Sequence, residues 1–159
     1  MASSRSFSTR KIVGFIILLV IVAFVFAESL WKVYLVNKSY TIYFPRSVTV
    51  TEEAYTIVDE ATAILQQDDT IKLRIVGHTS PEGDEAANME LSLKRANIIK
   101  DEFVYRGISE SRIEIEAMAG REPLEKEQGE STRSYQLRSS RVELVLARIT
   151  KNPLDYVTQ

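Results

Sequence analysis

IKLRIVGHTSPEG, residues 71–83, decides how this chain is read. Ile71, Leu73 and Ile75 alternate with Lys72 and Arg74, the period of a strand with one buried face. Gly77 to Gly83 then reads as a loop, with a glycine at each end and Pro81 inside. A helix follows over 88–106. Leu91, Ile98, Ile99 and Phe103 supply much of its apolar side, and Gly107 stops it.

The same alternation recurs on either side of this unit. Upstream, Tyr40 to Phe44 is aromatic and β-branched and reads as a strand, ended by Pro45. Thr49 or Thr51 caps the next helix, and Glu52 and Glu53 suit its first turn. Ile57, Val58, Ala61, Ile64 and Leu65 keep helical spacing until Asp68-Asp69. Downstream, Ile113, Ile115 and Ala117 form a third strand. Residues 122–129 are a polar loop, and Ser131 to Leu137 hold a short helical turn. Val142, Leu144 and Leu146 form the fourth strand, and 149–159 is a tail without clear structure. The order β-α-β-α-β-(α)-β predicts an α+β, two-layer sandwich. Its helices cover one face of a mixed four-stranded sheet, in one domain over 40–148.

The first 27 residues hold Arg5, Arg10 and Lys11 and no acid, while the remainder holds 17 basic and 22 acidic residues. An acidic soluble part argues against a nucleic-acid surface. The chain has no cysteine and a single histidine, His78. Disulfides and thiolate chemistry are excluded, and metal or triad chemistry at a lone histidine is disfavoured. His78 reads as a structural residue. With no nucleophile–base pair and no phosphate loop, neither an enzyme nor a cofactor is expected.

Ile12 to Ala27 is uncharged and apolar. As a helix it spans about 24 Å, and extension to Trp31 brings it close to the roughly 30 Å of a bilayer core. Trp31, Lys32 and Tyr34 suit the interface, and the preceding cations place residues 1–11 in the cytoplasm. The expectation is a transmembrane anchor over 12–31, a linker over 32–39 and an exported domain. The alternative is a signal peptide cleaved after Val25-Phe26-Ala27. The span has no internal acid, which argues against an ion-driven motor subunit.

Gly77-His78-Thr79-Ser80 with Gly83, then Asn88, then Leu91-Ser92 with Arg95-Ala96, resembles the core signature of the OmpA-like peptidoglycan-associating domain. Gly107-Ile108 with Arg112-Ile113 matches as well, as does Gly120 with Pro123 behind it. Ser139-Ser140-Arg141-Val142-Glu143 matches the family's closing N-R-R-V-E. The likeness covers about residues 40–148. It implies a non-catalytic domain that grips the diaminopimelate group of peptidoglycan stem peptides. It also implies that the family's aspartate falls at Ser80, its helix arginine at Arg95 and its last-strand arginine at Arg141.

The chemistry can be stated without the family. A zwitterionic ligand end needs a cationic fork for its carboxylate and an anion for its ammonium. Arginine supplies the fork. The candidate ligand-binding residues that the resemblance implies are Thr79, Ser80, Asn88, Arg95 and Arg141. Ser80 has no charge to set against an ammonium, which leaves Glu82, Asp84 and Glu85 as the acids that would have to serve. Two functions are open on these residues. One is non-covalent association with peptidoglycan from the bacterial envelope. The other is a membrane-tethered scaffold in a secretion or motility complex, using the domain for protein contacts. Ser80 and a short linker favour the second.

Overall fold

The computed structural model describes residues 9–35, 38–45 and 47–148, and the chain falls into two units, 1–35 and 36–159. The first unit contributes helix α1, Thr9–Leu35. Its described side chains, residues 13–27, are exposed. Among the described residues no helix is long and apolar enough to cross a membrane.

The second unit runs β1 (Lys38–Tyr43), α2 (Glu52–Gln67), β2 (Ile71–His78), α3 (Glu85–Tyr105), a 3-10 turn (Glu110–Arg112), β3 (Ile113–Ala119), α4 (Thr132–Ser139) and β4 (Arg141–Arg148). The four strands form one sheet in the order β1-β4-β2-β3. β4 runs antiparallel to both β1 and β2, whereas β2 and β3 are parallel. The expected mixed sandwich is therefore observed. Its core lies between the sheet and α2 and α3, where Val58, Leu65, Leu73, Ile99, Phe103 and Leu144 are fully buried.

Several boundaries differ from expectation, each for a local reason. β1 begins at Lys38, so Lys38 and Ser39 belong to the sheet rather than to a linker. Phe44 leaves the strand yet stays buried, and its N–H donates to the Ser140 carbonyl at 2.8 Å. Gly77 and His78 extend β2 instead of opening the loop. α3 starts at Glu85, earlier than the apolar spacing shows, because the Asp84 carboxylate accepts from Ala87 N–H at 2.7 Å and caps it. The cap of α2 is Thr51. The tail, 149–159, and residues 1–8 lie outside the described residues.

Two devices shape the ends of these elements. α2 ends without a glycine cap. Instead Arg112 Nη2 donates to the carbonyls of Leu65 and Asp68, both at 2.8 Å, and so satisfies orphan acceptors at the helix end. At the other end of the sheet the β2–β3 register shifts between Gly77 and His78, and Ala119 adopts φ 50°. That kink sets Gly120 against Pro81: a Cβ on Gly120 would lie 2.3 Å from the Pro81 Cα. Glycine is the one residue that fits so close an approach.

Candidate functional site

β2 delivers the site. Its residues alternate between the two faces of the sheet. Gly77 faces α3 so closely that a Cβ there would sit 2.1 Å from the Ser92 carbonyl oxygen. His78 therefore directs its side chain to the opposite face, while its backbone carbonyl remains beside α3. Thr79 follows, buried, with its N–H donating to the Ala119 carbonyl at 2.8 Å. Ser80 is half-buried and opens the loop.

Asn88, on the first turns of α3, braces that loop. Its Nδ2 donates to the carbonyls of Ser80 at 3.3 Å and Glu82 at 2.9 Å. The Ser80 hydroxyl accepts from Glu82 N–H at 3.2 Å. Two turns further along α3, Arg95 is 3% exposed. Its Nε donates to the Ser47 carbonyl at 2.7 Å and its Nη1 to the His78 carbonyl at 3.3 Å. The guanidinium lies over the Phe44 ring, 5.4 Å from its centroid. No carboxylate pairs with Arg95 among the described residues, and burial alone pulls its pKa below the ordinary arginine value.

The acids in reach of the mouth are engaged elsewhere. Glu82 accepts from Gln136 Nε2, Asp84 caps α3, and Glu85 pairs with Arg121 at 3.0 Å. Of these three, only Glu85 is matched by a cation; Glu82 and Asp84 accept from neutral donors and keep their negative charge beside the loop.

Four of the sequence candidates, Thr79, Ser80, Asn88 and Arg95, come together here. Arg141 goes elsewhere. Val142 pairs with Gly77 and shares its helix-covered face, so Arg141 points to the other side of the sheet. There it is 4% exposed and its Nε donates to Glu143 Oε1 at 2.7 Å. The fully buried His78 ring lies alongside, its Nε2 3.8 Å from the same Glu143 oxygen. His78 Nδ1 and Nε2, Ser139 Oγ and Arg141 Nη1 are all buried without a hydrogen-bond partner among the described residues. Burial, then the Arg141 charge, lowers the His78 pKa, and Glu143, Glu122 and Glu116 oppose the shift.

Sequence reasoning missed Ser47 and Phe44. Ser47 contributes a backbone carbonyl from a residue at φ 42°, and no side-chain signature announces that. Phe44 was legible as apolar but not as the surface beneath a guanidinium.

The comparisons agree with this fold. Residues 43–136 match the OmpA family. The peptidoglycan-associated lipoprotein from Burkholderia pseudomallei superposes with TM-score 0.59 at 20% identity, over 67% of this chain and 88% of that one. The OmpA-like domain of FopA1 from Francisella tularensis gives 0.59 at 18%, over 70% and 73%. The periplasmic domain of Helicobacter pylori MotB gives 0.58 at 13%, over 76% and 82%. No curated protein matches the chain. At such identities the likeness to these structures concerns the fold alone. The family match spans more than half of the sequence, from the last residue of β1 into α4, and on that ground the chain belongs to the OmpA family.

Proposed function

We propose that the domain associates non-covalently with peptidoglycan, as a non-catalytic protein of the bacterial envelope. The observation that carries this reading is Arg95, a guanidinium at the base of the loop with only carbonyl and aromatic partners. A buried cation without a counter-ion gains most from an incoming carboxylate, because the desolvation cost is already met by the fold. Thr79, Ser80 and Asn88 lie on the adjoining loop and the start of α3, and a stem-peptide carboxylate is the anion that the family offers there. Arg141, paired with Glu143 on the other face, supports His78 and Glu143 rather than the ligand.

The proposed setting is the bacterial inner membrane, with α1 as a single-pass anchor, the N-terminus cytoplasmic and the domain periplasmic. Support comes from the sequence alone, the uncharged run Ile12 to Ala27 and the cations before it. Cleavage after Ala27 is the alternative, and the mass of the mature N-terminus separates the two.

One observation favours a second reading, that of a tethered scaffold contacting envelope-complex proteins. Ser80 is neutral and the neighbouring acids are occupied. The test is retention on purified sacculi. Wild type is expected to bind and Arg95→Met to be lost in the wash. Equal retention of both, or retention of neither, rejects wall association and leaves the scaffold.

A further inference from the structure

We propose that the free edge of β1 takes an extended segment of a partner protein as an added strand, with adjacent apolar side chains in the hollows on its two sides and a basic residue against Glu53.

β1 is an edge strand, paired with β4 alone. The N–H and C=O groups on its outer side have no backbone partner among the described residues. Such an edge is a template for another strand unless something blocks it. The opposite edge strand, β3, carries Glu114 and Glu116. From Ser39 to Tyr43, β1 has no charge, no proline and no shift of register. Tyr40, Thr41, Ile42 and Tyr43 are all strand-favouring residues.

Two hollows flank this edge, and both are lined by Tyr43 and Pro45. The first is a cavity of about 150 Å³ between β1 and α2, lined by Ile42, Ala54, Ile57 and Glu53. Tyr43 pairs with Arg141 and turns to the opposite face of the sheet from Ile42. With Leu137 and Arg138 of α4 it lines the second hollow, of about 410 Å³. Tyr43 and Leu137 leave large apolar surfaces open there, 47% and 42% exposed. Successive side chains of an added strand turn to opposite faces. Two neighbouring residues therefore enter the two hollows while their backbone bonds to β1.

Charge specifies the partner. Glu52 and Glu53 are exposed at the start of α2, and neither pairs with a cation among the described residues. On the other side Arg138 is already matched by Glu130 at 2.9 Å. The α2 side thus calls for a cation, two residues from the apolar side chain in that hollow, and the α4 side for none. A second copy of this chain does not bring one. The sole cation of its β1, Lys38, is paired with Glu60 at 3.6 Å.

The probe is a synthetic hexapeptide, Thr-Thr-Val-Val-Lys-Thr, blocked at both ends and added to the full-length chain in mild detergent. Amide hydrogen exchange across β1 is expected to slow, and exchange across β3 to stay as it was. A peptide with glutamate in place of lysine should bind several-fold more weakly, and Glu53→Lys, at an exposed position, should reverse that preference. Ile57→Lys should weaken binding about tenfold, since it takes one aliphatic side chain out of the contact. Unchanged β1 exchange at millimolar peptide, or slowing in β3 instead, overturns the proposal. Equal binding of the two peptides overturns the basic partner. Slow β1 exchange without peptide that rises with protein concentration gives the edge to a second copy. Slow exchange that is lost on deleting residues 149–159 gives it to the chain's own tail. Either result overturns the partner strand.

Discussion

Arg95 Nε donates to the carbonyl of Ser47 at 2.7 Å, and Ser47 holds a positive φ of 42° to present it. A non-glycine residue in this region carries strain of order 1 kcal/mol. The contact therefore places a charge in the interior at a cost on both sides. Replacing a buried charge by an apolar side chain of similar volume is often neutral or stabilising. Arg95→Met is expected to keep the urea midpoint or raise it, while abolishing retention on sacculi. A loss of stability above about 2 kcal/mol would instead make Arg95 a structural residue.

The His78 ring predicts a pH dependence. Its folded pKa lies below the ordinary value of 6.5, chiefly through burial. Above that value the ring is neutral in both states and contributes no slope. Below it the unfolded chain takes up a proton first, so stability falls as pH drops from 6.5 toward the depressed folded pKa. The slope approaches about 1.4 kcal/mol per pH unit for one proton. Unfolding midpoints of wild type and His78→Asn between pH 7 and 5 check this, and the substituted protein should lack this component. Parallel curves would contradict it.

Gly77 and Gly120 fix the loop from two sides. A methyl group on Gly77 meets the Ser92 backbone at 2.1 Å, and one on Gly120 meets Pro81 at 2.3 Å. Backbone cannot step aside as a flexible side chain can, so α3 or the loop must shift. Gly77→Ala should cost about 3 kcal/mol in chemical unfolding. Gly120→Ala should cost less globally, since the loop yields before the core, and should weaken sacculus retention. Wild-type midpoints in both would refute the packing account.

Asp84→Ala separates capping from ligand binding. Losing the bond to Ala87 N–H should cost about 1 kcal/mol, read in urea. Retention on sacculi should be unchanged, because this carboxylate serves α3. A large drop in retention with the fold intact would make Asp84 the ammonium partner after all.

Strand and helix order was legible because buried positions alternate in Ile71, Leu73 and Ile75 and recur at helical spacing in Val58, Ala61 and Leu65. Asp84 as a cap was missed because apolar spacing starts only once α3 meets the core, a full turn after its first hydrogen bond. Gly77 and His78 looked like loop because glycine is rare inside strands, but here it admits the backbone of α3. Within the site, Arg95 and the residues around it were legible from the motif. Ser47 was not, since a carbonyl acceptor belongs to any residue. Arg141 was readable as a residue of the motif, but its side of the sheet depended on register: a step of one position sends a strand side chain to the other face.

The first and last strands of the domain are neighbours, with Lys38 opposite Leu146. The chain thus enters and leaves at one pole, and Thr79 and Ser80 lie at the other, past the end of β2. Eight residues of strand separate the poles, a stalk of about 25 Å built into the sheet itself. The full length of the sheet therefore lies between Lys38 and the loop that holds Thr79 and Ser80.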